Sequence, residues 1–239
     1  MRRSIRKDDP VRIGTWNLAG RWSEHHQSLL LRADCDVWLL TEVNERTRLP
    51  GYAVHLSQSL AAPRRRWAGI ASRIPMTSGP DPHPASAQAR IGATTYVSSV
   101  LPWRAARPGP VWVGEGHAAK TQNVVDDLLL RLRPARSLVW GGDWNHALSG
   151  REYAGSQGGR RALLGALEEL RLAVPTAELP HVIDGLLSID HIAVPVGQAA
   201  TATRIVADHV GKRLSDHDAY VAEVSCPTGP SASPNEGEP

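Results

Sequence analysis

The residues able to do chemistry fall in five short polar clusters, each beside an apolar, strand-like run. Thr15-Trp16-Asn17 follows Val11-Arg12-Ile13, and Glu42 closes Val37-Trp38-Leu39-Leu40-Thr41. Gly141-Gly142-Asp143-Trp144-Asn145 follows Leu138-Val139-Trp140; Asp190 lies inside the apolar run Ser188 to Ile192; Leu214-Ser215-Asp216-His217-Asp218 precedes Ala219 to Val224. A carboxylate ending a run as hydrophobic as the one before Glu42 needs a partner, because a lone buried charge is expensive. If strand geometry continues, Asp143 and Asn145 face the same side, and the two glycines before them let the backbone turn sharply. Adjacent Asp216 and His217 offer a hard oxygen ligand and an imidazole suited to proton transfer. Each cluster alone also has a plain reading: Glu42 as a strand-end glutamate in solvent, Gly-Gly-Asp as a turn, Asp-His as a surface loop.

The elements that must position these groups read mostly as strands. Apolar-rich runs recur at Val11 to Leu18, Asp36 to Val43, Tyr52 to Leu56, Trp67 to Ser72, Ala93 to Leu101, Val111 to Val113 and Ser137 to Trp140. Later ones cover Ser188 to Val194, Thr203 to Ala207 and Ala219 to Val224. Helical spacing of apolar residues predicts helices over Ala118 to Leu132 and Gly159 to Leu172, and Ser23 can cap a short helix running to Arg32. Ser78 to Ala89, with its prolines, reads as a loop, as does Pro102 to Pro110. Many short strands with few helices suggest two sheets packed face to face with helices outside. The tail from Pro227 to Pro239 has nothing to bury and is expected to be disordered. No internal boundary divides the rest, so one domain over 1–226 is expected.

Taken in order, the five clusters resemble the endonuclease/exonuclease/phosphatase family, which includes abasic-site endonucleases and pancreatic-type deoxyribonucleases. Gly-Asp-Trp-Asn and Ser-Asp-His are the most specific parts, and the resemblance runs from residue 11 to about 224. It implies an α/β (α+β) fold, a four-layer sandwich of two packed mixed β-sheets flanked by helices. It also implies a metal-dependent phosphoesterase, most simply a nuclease or other phosphodiesterase. On that resemblance Glu42 is the principal Mg²⁺ or Mn²⁺ ligand, with Asn17 and Asp216 in the metal region. Asp143 orients or deprotonates the attacking water, and Asn145 donates to a phosphate oxygen. His217 binds the scissile phosphate or shuttles a proton, held in one tautomer by Asp190. The residue types suit the chemistry: a cation and fixed donors stabilise the charge that phosphoester hydrolysis places on oxygen, and hard oxygen ligands favour Mg²⁺ or Mn²⁺ over zinc.

The match fails at one place. Family members commonly end a middle strand in a segment like Thr-His-Leu-Pro, and the corresponding Ser98-Ser99-Val100-Leu101-Pro102 puts Val100 where that His would sit. Val can neither donate nor accept a hydrogen bond. His117 is the alternative, though it also falls at the expected start of a helix, where an exposed histidine is unremarkable.

Substrate is less legible. Trp103-Arg104 with Arg107, and Arg64-Arg65-Arg66-Trp67, mix cations and indoles as a surface that stacks bases and grips phosphates would; the plain alternative is that Trp67 starts a buried strand and the arginines are solvated. The segment after Asn145, with Arg151, Tyr153, Arg160 and Arg161, is placed to flank a scissile phosphate. His146 could approach substrate, His191 should point away from Asp190 and be structural, and His25 and His26 lie on an expected surface helix. The net charge of +3 neither demands nor excludes nucleic acid as the partner. No apolar run is long enough to span a membrane, Met1 to Pro10 lacks the apolar stretch of a secretory signal, and Cys35 and Cys226 have no metal-binding spacing, so a cytoplasmic monomer is expected. A phosphomonoesterase acting on a small or lipid-derived phosphate, and a catalytically degenerate binding module, are the alternative functions.

Overall fold

Alternation along the central strands decides the architecture. The computed structural model of the protein describes residues 10–225; the expected disordered tail, Cys226 and most of the charged N-terminal segment lie outside them. In β1 (Val11–Asn17) and β2 (Val37–Asn44), Ile13, Val37 and Leu39 turn to one face, while Trp16, Trp38 and Leu40 turn to the other. β1 runs parallel to β2 and antiparallel to β15 (Ala219–Val224), and β2 pairs antiparallel with β5 (Arg65–Ser72). With β3 (Ala53–Leu56), β4 (Leu60–Ala62) and β12 (Ala200–Ile205) they make a seven-stranded mixed sheet in the order β12-β15-β1-β2-β5-β3, β4 lying alongside β5.

The second sheet has six strands in the order β10-β11-β9-β8-β7-β6. They are β6 (Met76–Ser78), β7 (Ser86–Ile91), β8 (Thr94–Ser99), β9 (Leu138–Asp143), β10 (Leu172–Ala173) and β11 (Asp190–Pro195). Between the sheets, Ile13, Leu39, Ile70 and Ala222 of the first pack on Ala87, Tyr96, Val139 and Ile192 of the second. Helix α1 (Glu24–Ala33) covers the outer face of the first sheet with Leu29, Leu30 and Ala33 against Trp16 and Trp38. Helices α2 (Gly116–Leu132) and α3 (Gln157–Glu169) cover the second, packing Val124, Leu128, Leu163 and Leu167 with Trp140 and Trp144. Three separate cores, one between the sheets and one under the helices on each side, are what four layers require. A short ribbon, β13 (Asp208–His209) with β14 (Lys212–Arg213), precedes β15.

Two glycines make this packing possible. A Cβ on Gly14 would stand 2.3 Å from the Trp38 ring, and one on Gly142, which has φ +121°, would stand 2.2 Å from the Ser99 carbonyl oxygen. Pairing directions then bring the polar clusters together. The parallel pair β1 and β2, and β9 of the other sheet, bring their C-terminal parts (Asn17, Glu42, Asp143) to one rim, and β11 and β15, antiparallel to β9 and β1, bring their beginnings to it, with Asp190 paired across from Asp143.

Several expectations need correcting. Ser86–Ile91 is a strand, not a loop: its alternation is carried by Ala87, Ala89 and Ile91, and alanine gives a weak hydrophobic signal. Val111 to Val113 forms no strand; Trp112 is drawn into an aromatic cluster instead. The helix expected to reach Leu172 ends at Glu169, because Leu172–Ala173 pairs with Val194 and Pro195 of β11. Ser23 occupies the N-cap position of α1 but makes no side-chain cap; its hydroxyl meets His26 Nδ1 at 2.8 Å. His26 is therefore buried, not on a surface face, and its Nε2 donates to the Leu214 carbonyl at 3.0 Å.

Candidate active site

Glu42 is placed by a break in the ladder near the end of β2. The β2–β5 ladder pairs Thr41 with Ala68 and Val43 with Arg66, and between them Glu42 adopts φ +48°, a conformation a side chain rarely accepts unless its surroundings enforce it. Its carbonyl accepts from Gly20 N at 2.8 Å, which ties the β1–α1 turn to it. Its carboxylate sits between two donors: Asn17 Nδ2 lies 3.3 Å from Oε1, and Arg65 NH1 donates to Oε2 at 2.7 Å. Asn17 is buried and itself fixed, since its Oδ1 accepts from Ala19 N at 2.8 Å and its Nδ2 also donates to Asp143 Oδ2 at 2.9 Å.

Asp143 ends β9 and is held from both sides of its carboxylate. Asn17 donates to Oδ2, and Asn145 N donates to Oδ1 at 3.1 Å across a turn in which Asn145 has φ +52°. The Asn145 amide nitrogen donates to the Leu101 carbonyl at 3.0 Å, and Leu101 N donates to the Asp143 carbonyl at 2.9 Å, so the loop after β8 locks the turn. Burial raises the Asp143 pKa well above the usual carboxylate range; the His217 charge opposes that rise, while nearby Asp190 and Glu42 add to it.

His217 sits opposite. Its Nδ1 donates to Asp190 Oδ2 at 2.7 Å, and its Nε2 lies 3.9 Å from Asp143 Oδ2. Burial alone would lower its pKa, but the charges of Asp190 and Asp143 and the bond it donates to Asp190 reverse the sign and raise it. Asp190 is fully buried, and its Oδ1 has no hydrogen-bond partner. Ser215 docks the 214–218 loop on β1: its hydroxyl donates to the Asn17 carbonyl at 2.7 Å and accepts from His217 N at 3.2 Å. Asp216, beside it, is exposed and lies 3.4 Å from the Ser215 hydroxyl; Asp218 is buried and neutralised by Arg204 and Arg213.

The donor chemistry fits a hard divalent cation. Asn17, Glu42, Asp143 and Asp190 bring one amide and three carboxylates to the rim, and a buried carboxylate oxygen without a partner is the kind of group a cation or an ordered water satisfies. Asp143, Asp190 and His217 also present ligand atoms within 4.8 Å of one another. That cluster includes an imidazole whose proton already bonds Asp190, whereas the Glu42–Asn17 side offers hard oxygens alone once Arg65 gives way, and it is the better match for a hard divalent cation.

The expected flanking residues divide. The Tyr153 ring lies 5.2 Å from His181, whose ring stands 6.4 Å from His217; sequence alone pointed to Tyr153 but not to His181. Trp103 is 39% exposed and leans on Trp67 and Trp112, so a face of an indole is open to solvent there. Arg104 donates through N to the Ala154 carbonyl and through Nε to that of Gly155, which knits two loops together; Arg151 is exposed. Trp67 is buried, as the plain reading of its strand has it, yet the arginines before it are not simply solvated: Arg65 meets Glu42 and Arg66 meets Glu45.

Val100 is buried in the core under α2 and carries no polar contact to the rim. His117 is not a free, exposed group: Nε2 donates to the Pro102 carbonyl at 2.8 Å, and Nδ1 meets the Ser156 hydroxyl at 2.9 Å. His146, next to Asn145, is fully buried and does not face substrate; its Nδ1 donates to the Trp144 carbonyl at 2.7 Å.

Two mixed sheets that share a rim of carboxylates and amides define a two-sheet α+β sandwich with its polar groups gathered at one edge. The chain belongs to the endonuclease/exonuclease/phosphatase family, whose model matches residues 14–217. No curated protein matches it by sequence. Among solved structures it is similar to an AP endonuclease from Archaeoglobus fulgidus, at 18% identity and TM-score 0.65 over 89% of this chain and 98% of that one. It is also similar to the 3'-5' exonuclease NExo from Neisseria meningitidis, at 20% identity and TM-score 0.65 over 90% and 100%. A third is the AP endonuclease LMAP from Leishmania major, at 11% identity and TM-score 0.68 over 92% and 89%. These likenesses confirm the expected fold. No helix of the described residues is long and apolar enough to cross a membrane.

Proposed function

We propose that the protein is a divalent-metal-dependent phosphodiester hydrolase acting on nucleic acid. The observation that carries this reading is the line Glu42–Asn17–Asp143, bonded at 3.3 and 2.9 Å, with the Asp190–His217 pair facing Asp143. Glu42 and Asn17 would hold Mg²⁺ or Mn²⁺, with Asp216 able to reach the same region from its loop. Bound there, the cation would supply Lewis-acid stabilisation of charge developing on phosphate oxygens. Asp143, fixed through both carboxylate oxygens, orients the attacking water and takes its proton. His217, protonated on both nitrogens, offers Nε2–H to a phosphate oxygen while Asp190 fixes its ring. One amide hydrogen of Asn145 is spent on Leu101, and the second serves the phosphate.

Nucleic acid is favoured over a small phosphomonoester by the exposed face of Trp103 and the exposed Arg151, a stacking surface and a cation near the rim. The similar structures point the same way, one being a 3' phosphatase NExo from Neisseria bound to product DNA hairpin. The test compares plasmid DNA, a single-stranded oligonucleotide, bis-p-nitrophenyl phosphate and p-nitrophenyl phosphate with Mg²⁺, Mn²⁺ or EDTA. Cleavage of DNA and the diester that needs metal and is lost in Asp143→Asn supports the reading. Turnover of the monoester alone points to a phosphatase; no turnover and no metal binding points to a binding module.

A further inference from the structure

Arg65 has a position that neither the motifs nor the proposed reaction explains. It follows one arginine and precedes another, yet β5 sends the neighbours to opposite faces: Arg66 turns outward to Glu45 and the Gln58 carbonyl, while Arg65 turns to the rim and puts NH1 2.7 Å from Glu42 Oε2. Its stem crosses Gly20, where a Cβ would stand 2.7 Å from Arg65 Cδ, so the β1–α1 turn is cut to admit this side chain. The Asn44 amide donates to the Gly20 carbonyl at 2.9 Å and holds that turn in place. The far edge of the guanidinium is unfinished: Nε is buried and has no hydrogen-bond partner. A donor kept from water without an acceptor is costly to leave unmade, and the guanidinium fork matches phosphate oxygens in pairs.

The ion pair and a divalent cation draw on the same carboxylate. A second positive charge arriving at Glu42 weakens its hold on Arg65, and a phosphodiester brings acceptor oxygens to the same place. Resting on the reading of the site as a metal-dependent phosphoesterase, we propose that Arg65 is a substrate-phosphate ligand that shares Glu42 with the cation. Arg65 leaves Glu42 when the carboxylate takes the cation, and its guanidinium then grips a non-bridging oxygen of the substrate phosphate. The pair is thus a device that couples metal loading to substrate capture.

The test uses the full chain and separates binding from turnover. Mn²⁺ binding is measured by calorimetry for the wild type, Arg65→Ala and Arg65→Lys. Removing the competing cation should tighten Mn²⁺ about 1.4-fold to fivefold in Arg65→Ala, the range of a partly exposed ion pair, with Arg65→Lys close to wild type. Binding of a fluorescein-labelled oligodeoxynucleotide is then followed by anisotropy with Mn²⁺ present, in an Asp143→Asn background so that nothing is cleaved. DNA affinity should fall on the order of tenfold in Arg65→Ala and less in Arg65→Lys, which keeps the charge but loses the fork. Unfolding midpoints of the variants confirm that each is folded. Weaker or unchanged Mn²⁺ binding in Arg65→Ala, or undiminished DNA binding, would overturn the proposal while leaving the phosphoesterase reading intact. Failure of the wild type to bind Mn²⁺ at all would remove both.

Discussion

Two groups of buried histidines flank the same turn and behave in opposite ways. His217 faces Asp143 and Asp190, whereas His146 and His191 sit behind the same turn against Trp144. Burial lowers the basicity of all three. For His217 the two carboxylates outweigh it and the imidazole is held charged. His146 and His191 meet only carbonyls, Trp144 and His146 respectively, and burial pushes both down to about 4. Each also leaves one ring nitrogen buried without a partner, which a neutral ring tolerates far better than a charged one. Burial alone therefore keeps a histidine neutral; carboxylates in the same burial keep it charged. The silent pair has a different task. His191 donates to the His146 carbonyl at 2.9 Å and His146 to that of Trp144, so together they peg the turn that carries Asp143 and Asn145.

The strongest way to break this contrast is to take the carboxylate from the working histidine. Asp190→Asn should lower kcat on the order of 10²–10⁴-fold, the contribution expected of a positioned acid or base, and should also lower the unfolding midpoint, since a buried ion pair loses one partner. A variant that kept wild-type kcat would show that the charge on His217 has no part in the reaction. Glu42→Gln should be as damaging to turnover but should also weaken Mn²⁺ binding, which Asp190→Asn should not; equal loss of metal in both would move the cation toward Asp190.

In the silent group the expected damage is to stability. His191→Ala removes a buried ring and leaves the His146 carbonyl without its donor, a loss of about 2–4 kcal/mol in the unfolding free energy at neutral pH. The effect should also depend on pH in a definite direction. A histidine whose folded pKa is about 4 against 6.5 unfolded contributes its stability above pH 6.5 and loses it as pH falls toward 4. The gap in stability between wild type and His191→Gln should accordingly narrow by about 1.4 kcal/mol for each pH unit in that window. A gap that stayed constant from pH 7 to 4 would mean that His191 takes up its proton at no cost, against its burial.

How much of this was legible beforehand follows the range of the interactions. Asn17, Glu42, Asp143 and Asp190 stand at strand ends, and strand ends show in the hydrophobic pattern, so both the fold and the set of polar groups were readable. What a side chain meets was not. Arg65 and Arg66 look alike in a basic run, and only the pleat of β5 sends one to Glu42 and the other to Glu45. His26 and His146 looked like surface and substrate residues because nothing local marks a ring that will be drawn under the 214–218 loop or behind the Trp144 turn. The strand Ser86–Ile91 escaped because alanines can fill an inter-sheet face where the partner residues are large.

The smallest expected effect lies outside the rim and sharpens the contrast from the side of the substrate. Arg151 is exposed on the loop that follows Asn145, and Trp103 offers an open indole face, so neither should touch kcat. If Arg151 neutralises a phosphate, Arg151→Ala should raise the KM for DNA a few-fold and lower the slope of its logarithm against the logarithm of salt concentration by about one, because one fewer counterion is released. Trp103→Ala should raise KM by a comparable or larger factor with the salt slope unchanged, since stacking releases no ions. The two variants thus separate a charge from a stacking surface by one measured slope. A salt slope that stayed fixed in Arg151→Ala would make that arginine a solvated one and leave Arg65 as the guanidinium that holds the phosphate.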